Sequence, residues 1–181
     1  MKLEEQRLTH KLLYECFFMK LYEDEVLLPN GKKSTRIYVE HDGAAAILPI
    51  TKEGKIVLLK QYRYPVKQVL IEIPAGKKDD PNESGLECAK RELEEETGYV
   101  SSNYRHLCDV HNCVGYSSEK IEVFLAVDCV KTPTPKAADD DEFLEELILS
   151  REEVQVLLET NQITNATTLI ALQKYFLETT K

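Results

Sequence analysis

Three glutamates in one short stretch have the spacing to do chemistry together. If Arg91-Glu92-Leu93-Glu94-Glu95-Glu96-Thr97-Gly98 is helical, Glu92, Glu95 and Glu96 fall within an arc of roughly 100°, at about 100° per residue. Leu86, Ala89 and Leu93 form an apolar stripe beside them, and Glu87, Lys90 and Glu94 occupy the far side. Like charges four residues apart, such as Glu92 and Glu96, destabilise a helix by about 0.2–0.5 kcal/mol. Their place beside the core-facing stripe adds a desolvation cost. A divalent cation removes both difficulties. Magnesium takes hard oxygen ligands and shares them with substrate phosphates, and Arg91 is spaced to hold Glu95 at i+4. The plain alternative is an acidic helix face turned to water.

The elements that must position these groups are legible around them. Ser84 followed by Glu87 reads as a capping box, and Gly98 as a C-terminal stop, so a helix is predicted from Ser84 to Thr97. Upstream, residues 11–40 read as a β-rich unit, two hydrophobic runs around a Pro29-Asn30-Gly31 hairpin turn. Two more apolar runs flank a turn at Lys52–Lys55, and QVLIEIP is a short strand ended by Pro74. NYRHLCDV and KIEVFLAVDCV continue the strand pattern after the helix. TPTPKAADDDE is a connection, Ser150 with Glu153 starts another helix, and a last helix is expected from about Asn165 to Leu177. Strands, one helix, more strands and two helices indicate an α+β fold, a mixed sheet flanked by helices.

The 181 residues suit one compact domain with a small appendage. A hydrophobic fraction of 43% allows a sizeable core. No apolar run approaches the roughly 18 residues of a membrane span, and MKLEEQRLTHK lacks the apolar stretch of a signal peptide. A soluble, cytoplasmic protein is expected. The net charge of −9 argues against nucleic acid as partner. A small anionic substrate stays compatible with that charge if a cation inverts the local field. Five cysteines, an odd number without a CxxC pair, read as reduced thiols.

The run R-E-L-E-E-E-T-G-Y resembles the core of the Nudix box, G-x5-E-x7-R-E-U-x-E-E-x-G-U, where U is a bulky apolar residue. Glu83 stands the required eight residues before Arg91, and every later fixed position matches. One departure is that six residues, not five, separate Gly76 from Glu83. The resemblance runs from about Arg36 to the C-terminus and is strongest to the branch that hydrolyses ADP-ribose and other nucleoside-diphosphate sugars. It implies an α/β/α sandwich at residues 41–181 and a β-rich N-terminal domain at 1–40 that builds a homodimer. It also implies hydrolysis of the diphosphate bridge with Mg²⁺, or Mn²⁺ as substitute, giving a nucleoside monophosphate and a sugar phosphate. GDP-mannose or another sugar nucleotide is the alternative substrate, and a module that senses a nucleotide without turning it over is the alternative of another class.

By the same resemblance, the Ala75 carbonyl and the carboxylates of Glu92, Glu96 and Glu142 ligate metal, with Glu95 beside them in a metal or catalytic role. Arg63 contacts substrate phosphates, Arg36 reaches the site from the N-terminal unit, and Glu72 positions substrate or metal. Gly115 and Glu119 match positions that line the substrate, although the loop Cys113–Glu119 lacks the proline usual there. Aligning Ser150-Arg151-Glu152 sets Asp140 where the branch has a catalytic glutamate, so either Asp140 or Glu142 is the proton acceptor. A rival grouping, His106, Cys108, His111 and Cys113, has zinc-type ligands. Strand parity sets the first two and the last two on opposite faces.

Overall fold

The computed structural model describes residues 3–80, 82–136 and 142–179. At the N-terminus, Pro29-Asn30-Gly31 turns the chain with Gly31 at φ 80°, a value glycine adopts without steric cost. Short strand β1 (Gln6–Arg7) and strands β2 (Lys11–Glu15), β3 (Lys20–Leu27) and β4 (Lys33–Glu40) make an antiparallel four-stranded sheet with β3 central. The run LLYECFFMKLY is therefore two strands rather than one. The Cys16 N–H bonds the Met19 carbonyl at 3.0 Å, which closes a tight turn and leaves Phe17 exposed at its tip. Within this sheet the buried Asp24 accepts from His10 at 2.8 Å and from the Tyr38 hydroxyl at 3.2 Å. Compact unit one comprises Met1–Gly43 together with His111–Lys120. The loop 111–120 joins it because Val39 donates to the Tyr116 carbonyl at 2.7 Å and Ser118 donates back to Val39 at 2.9 Å.

Unit two comprises Ala44–Val110 and Ile121–Lys181. Its strands are β5 (Ala44–Thr51), β6 (Ile56–Arg63), β7 (Gln68–Glu72), β8 (Ala75–Lys77), β9 (Tyr99–Val100), β10 (Asn103–Val110), β11 (Ile121–Lys131) and β12 (Leu144–Leu149). Helices α1 (Gly85–Thr97), α2 (Arg151–Glu159) and α3 (Ala166–Thr179) complete it. The sheet is mixed, in the order β10-β11-β5-β6-β12, with β11 and β5 parallel and the other pairs antiparallel. β5 is buried along its whole length, which explains a run that is apolar without alternation. Its Ala44, Ala46, Leu48 and Ile50 join Val154, Ile163, Ala171 and Leu172 of the α2–α3 side in one core. Ala45 and Ile47 face the other way and join Cys88, Ala89 and Leu93 of α1. Helices thus cover both faces of the sheet. Among the described residues no helix is long and apolar enough to cross a membrane.

Candidate active site

Helix α1 forms where its capping residues dictate. The Ser84 hydroxyl accepts the Glu87 N–H at 3.2 Å, and Gly98, at φ 65°, donates its N–H to the Glu94 carbonyl at 2.8 Å. The expected reciprocal bond from Glu87 is not made, because its carboxylate pairs with Lys90 at 2.8 Å instead. Ala89 and Leu93 are fully buried against β5, so the neighbouring face of the helix, with Glu92, Glu95 and Glu96, is set beside strand β8.

On that face Arg91 is the hub. Its guanidinium pairs with Glu83 at 3.2 Å, Asp79 at 3.3 Å, Glu92 at 2.7 Å and Glu95 at 3.0 Å, and donates to the Lys77 carbonyl at 2.9 Å. A planar fork with five donors suits this use, and lysine has no equivalent geometry. Burial lowers the pKa of Arg91, but Glu83, Glu92 and Glu95 outweigh it and the net shift is upward. Glu83, for its part, is raised by burial and held below the usual carboxylate range by Arg91 and by the Asp79 N–H, which it accepts at 3.0 Å. The extra residue between Gly76 and Glu83 therefore does not stop Glu83 from reaching the helix.

The acids deeper in the cleft behave differently. Burial, reinforced by the charges of Glu95 and Glu142, pushes Glu92 up to about 7 in spite of Arg91. Burial, then the charges of Glu92 and Glu142, push Glu96 up to about 9. Glu96 accepts the Ala75 N–H at 3.0 Å, which ties the helix to the first residue of β8. Only glycine at the next residue leaves the Glu92 carboxylate where it is, since a Cβ on Gly76 would lie 1.9 Å from the Glu92 Oε1. Gly76, Lys77, Asp79, Arg91, Glu92, Glu95 and Glu142 line one cleft.

Among the described residues no three acidic, imidazole or thiol groups already converge on one point as a ready cage. The donor set nonetheless fits a hard dication. Glu92, Glu96 and Glu142 are oxygen donors; Glu92 and Glu96 are strongly desolvated, the Glu142 charge raises both, and a cation between them would reverse these penalties.

Beside this cluster, β6 and β7 bring Arg63 onto Glu72. Arg63 Nε donates to Glu72 Oε2 at 2.8 Å, and Nη2 lies at the same distance from that oxygen. Glu72 is buried, not an edge-strand charge in water, and its Oε1 accepts from Asn165 Nδ2 at 2.7 Å. The Arg63 charge also lowers the Glu96 pKa, so the two face one electrostatic environment.

The other candidates are spread more widely. Arg36, Gly115 and Glu119 belong to unit one. There Arg36 is bound to Glu5 at 2.5 and 2.9 Å, Glu119 lies 4.0 Å from His41, and a Cβ on Gly115 would meet nothing within 4 Å. Asp140 lies outside the described residues. Three of the four zinc-type candidates have other partners. His106 bonds Asp109 at 2.8 Å, His111 meets the Glu119 carbonyl at 3.3 Å, and Cys113 accepts from the Tyr116 hydroxyl at 3.2 Å. Cys88 is a packing residue, its thiol pushed up to about 12 by burial and by Glu83 and Glu92. The sequence reading does not single out Asp79 or Asn165. An acid in the loop before the helix is a signal for the first, and a capping asparagine before α3 is a signal for the second.

Residues 40–171 match the NUDIX domain family. The chain is 37% identical over 171 residues to the ADP-ribose pyrophosphatase of Bacillus subtilis (strain 168), covering 94% of this chain and 92% of that protein. It is 36% identical to the methanol dehydrogenase activator of Bacillus methanolicus over 94% of this chain and 91% of that one. Among solved structures, an ADP compounds hydrolase superposes with a TM-score of 0.82 at 22% identity, covering 98% of this chain and 97% of the other, which shows a shared fold. Cleft, sheet and sequence agree: the chain belongs to the Nudix family.

Proposed function

We propose that this protein hydrolyses the diphosphate bridge of ADP-ribose or a related nucleoside-diphosphate sugar, releasing a nucleoside monophosphate and a sugar phosphate. The observation that carries this reading is the desolvated pair Glu92 and Glu96 with the Glu142 charge beside them, Glu92 set against the Gly76 backbone and Arg63 in the same field as Glu96. The likeness to an ADP-ribose pyrophosphatase over nearly the whole chain supports the substrate class.

Magnesium, when bound, supplies charge neutralisation of the diphosphate and activation of the attacking water. Glu92 and Glu96, with Glu142 and the Ala75 carbonyl, would hold it, and Glu95 is kept beside them by Arg91. Arg63 offers a guanidinium, oriented by Glu72, to the non-bridging phosphate oxygens. Water attacks one phosphorus and the bridging oxygen leaves with the other. Glu142 or Asp140 accepts the proton. With ADP-ribose the products are AMP and ribose 5-phosphate. Arg36, Gly115 and Glu119 are assigned to the substrate, and the N-terminal unit to a homodimer. A cytoplasmic setting fits five cysteines that all stay free thiols.

Two measurements test this together. A panel of ADP-ribose, GDP-mannose and other sugar nucleotides with Mg²⁺, followed by phosphate release through a coupled phosphatase, should show turnover of ADP-ribose. Glu96→Gln should keep the fold by circular dichroism while turnover drops by about 10³-fold, the scale of losing a group that acts on transition-state charge. Near-normal activity in that variant would refute the proposal.

A further inference from the structure

Resting on the function proposed above, one residue stands out for what its two ends do at once. Asn165 immediately precedes α3, and its Oδ1 accepts the Thr168 N–H at 2.9 Å, an N-cap bond. That bond fixes which way the amide points, so Nδ2 must be the end that faces Glu72. It donates there at 2.7 Å, to the carboxylate oxygen that Arg63 does not use. Glu72 is 5% exposed, and a buried carboxylate with one oxygen unsatisfied is costly. Arg63, by contrast, is 43% exposed on its side chain and free to swing unless Glu72 holds it. A second stitch fixes the same helix end, because the buried Thr168 hydroxyl accepts the Ile73 N–H at 3.0 Å. Ile73 is the residue between Glu72 and Pro74-Ala75, the start of the backbone that Glu96 binds. Helix α3 is thereby fastened to the strand end that leads into the cleft.

We infer that Asn165 is a positioning residue for the hydrolysis: it locks the Glu72 carboxylate, and through it the Arg63 guanidinium, in the orientation that receives the substrate diphosphate. The bland account is that Asn165 merely caps α3. Asn165→Ser separates the two, since serine caps about as well as asparagine but is too short to reach Glu72.

The test is a double-mutant cycle with Arg63→Ala, read as kcat/KM for ADP-ribose with Mg²⁺ and as AMP affinity by calorimetry, the second readout being independent of turnover. Asn165→Ser should lower kcat/KM by about tenfold in the wild-type background and by under about twofold in Arg63→Ala, a coupling typical of groups in one network. The urea midpoint should fall, because Glu72 Oε1 loses its donor, yet leave the protein fully folded under assay conditions, so the loss of kcat/KM is read on folded enzyme. Asn165→Asp, which keeps the cap but sets a second carboxylate against Glu72, should lose more than the serine variant. Equal losses in both backgrounds, or no loss in either, overturn the assignment. If the wild-type protein turns over no sugar nucleotide, it is the proposed function that fails, and the two failures are distinguishable.

Discussion

At the residue scale the cleft is organised by what a single atom more would do. A Cβ on Gly76 would occupy the space of the Glu92 carboxylate, 1.9 Å from Oε1 and 2.2 Å from Cδ. The atoms displaced are the end of a flexible side chain, so Gly76→Ala should fold normally. Its turnover should fall about 10²-fold, because moving a catalytic group by an ångström is enough to do so. Steady-state kinetics beside a thermal melt checks both halves. The same carboxylates set a pH dependence. Glu92 and Glu96 have folded pKa values of about 7 and 9, above the ordinary 4.5 that the unfolded chain recovers. Between those values the folded state holds more protons than the unfolded one. Stability from these two groups is therefore complete below about pH 4.5 and is lost as pH rises through the folded values. Melts in EDTA should show the midpoint falling from about pH 6 to about pH 9. Excess Mg²⁺ should protect more strongly at the alkaline end, where the ligands are ionised. A midpoint that climbs with pH in EDTA would contradict this account of the cleft.

At the element scale, two helices begin with a capping serine but are built differently. Ser150 and Glu153 make both bonds of a capping box, whereas Ser84 makes one. Removing either hydroxyl by Ser→Ala should cost about 1 kcal/mol in urea unfolding. The two should part in activity. Ser150→Ala disturbs a helix that contributes Val154 to the core and nothing to the cleft, so kcat/KM should be unchanged. Ser84→Ala frays the turn that follows Glu83, and Glu83 is a partner of Arg91, so kcat/KM should drop. The capping boxes were half legible in the sequence. Serine three residues before glutamate indicates the bond to the backbone, but whether the glutamate returns it depends on competitors, and Lys90 is one.

At the scale of the whole molecule, the N-terminal sheet exposes an apolar row. Tyr14, Leu21 and Val39 align across β2, β3 and β4, and Ile37 lies two residues along on the same face. Tyr14 and Ile37 are 57% and 56% exposed, unusual for a strand surface meant for water. The proposed homodimer would cover such a row. Sedimentation equilibrium should return twice the chain mass, and Ile37→Glu should return the single chain.

The amino-acid order by itself determined the helix that carries the glutamates, because cap, stripe and stop are local signals spread over sixteen or fewer positions from Glu83 to Gly98. It likewise determined β10, whose bounds Asn103–Val110 coincide with the strand-like run read from the residues. Tertiary structure alone decided how the acids are used. Nothing in Arg91's neighbours along the chain tells that it gathers Asp79 and Glu83 as well as Glu95. Nothing near Glu72 tells that its partner stands 93 residues away in Asn165. Local propensity acts through a few bonds along the backbone, whereas the desolvation that raises Glu92 and Glu96, and the hydrogen bonds that orient Arg63, arise only once distant strands and helices exclude water from the same small volume.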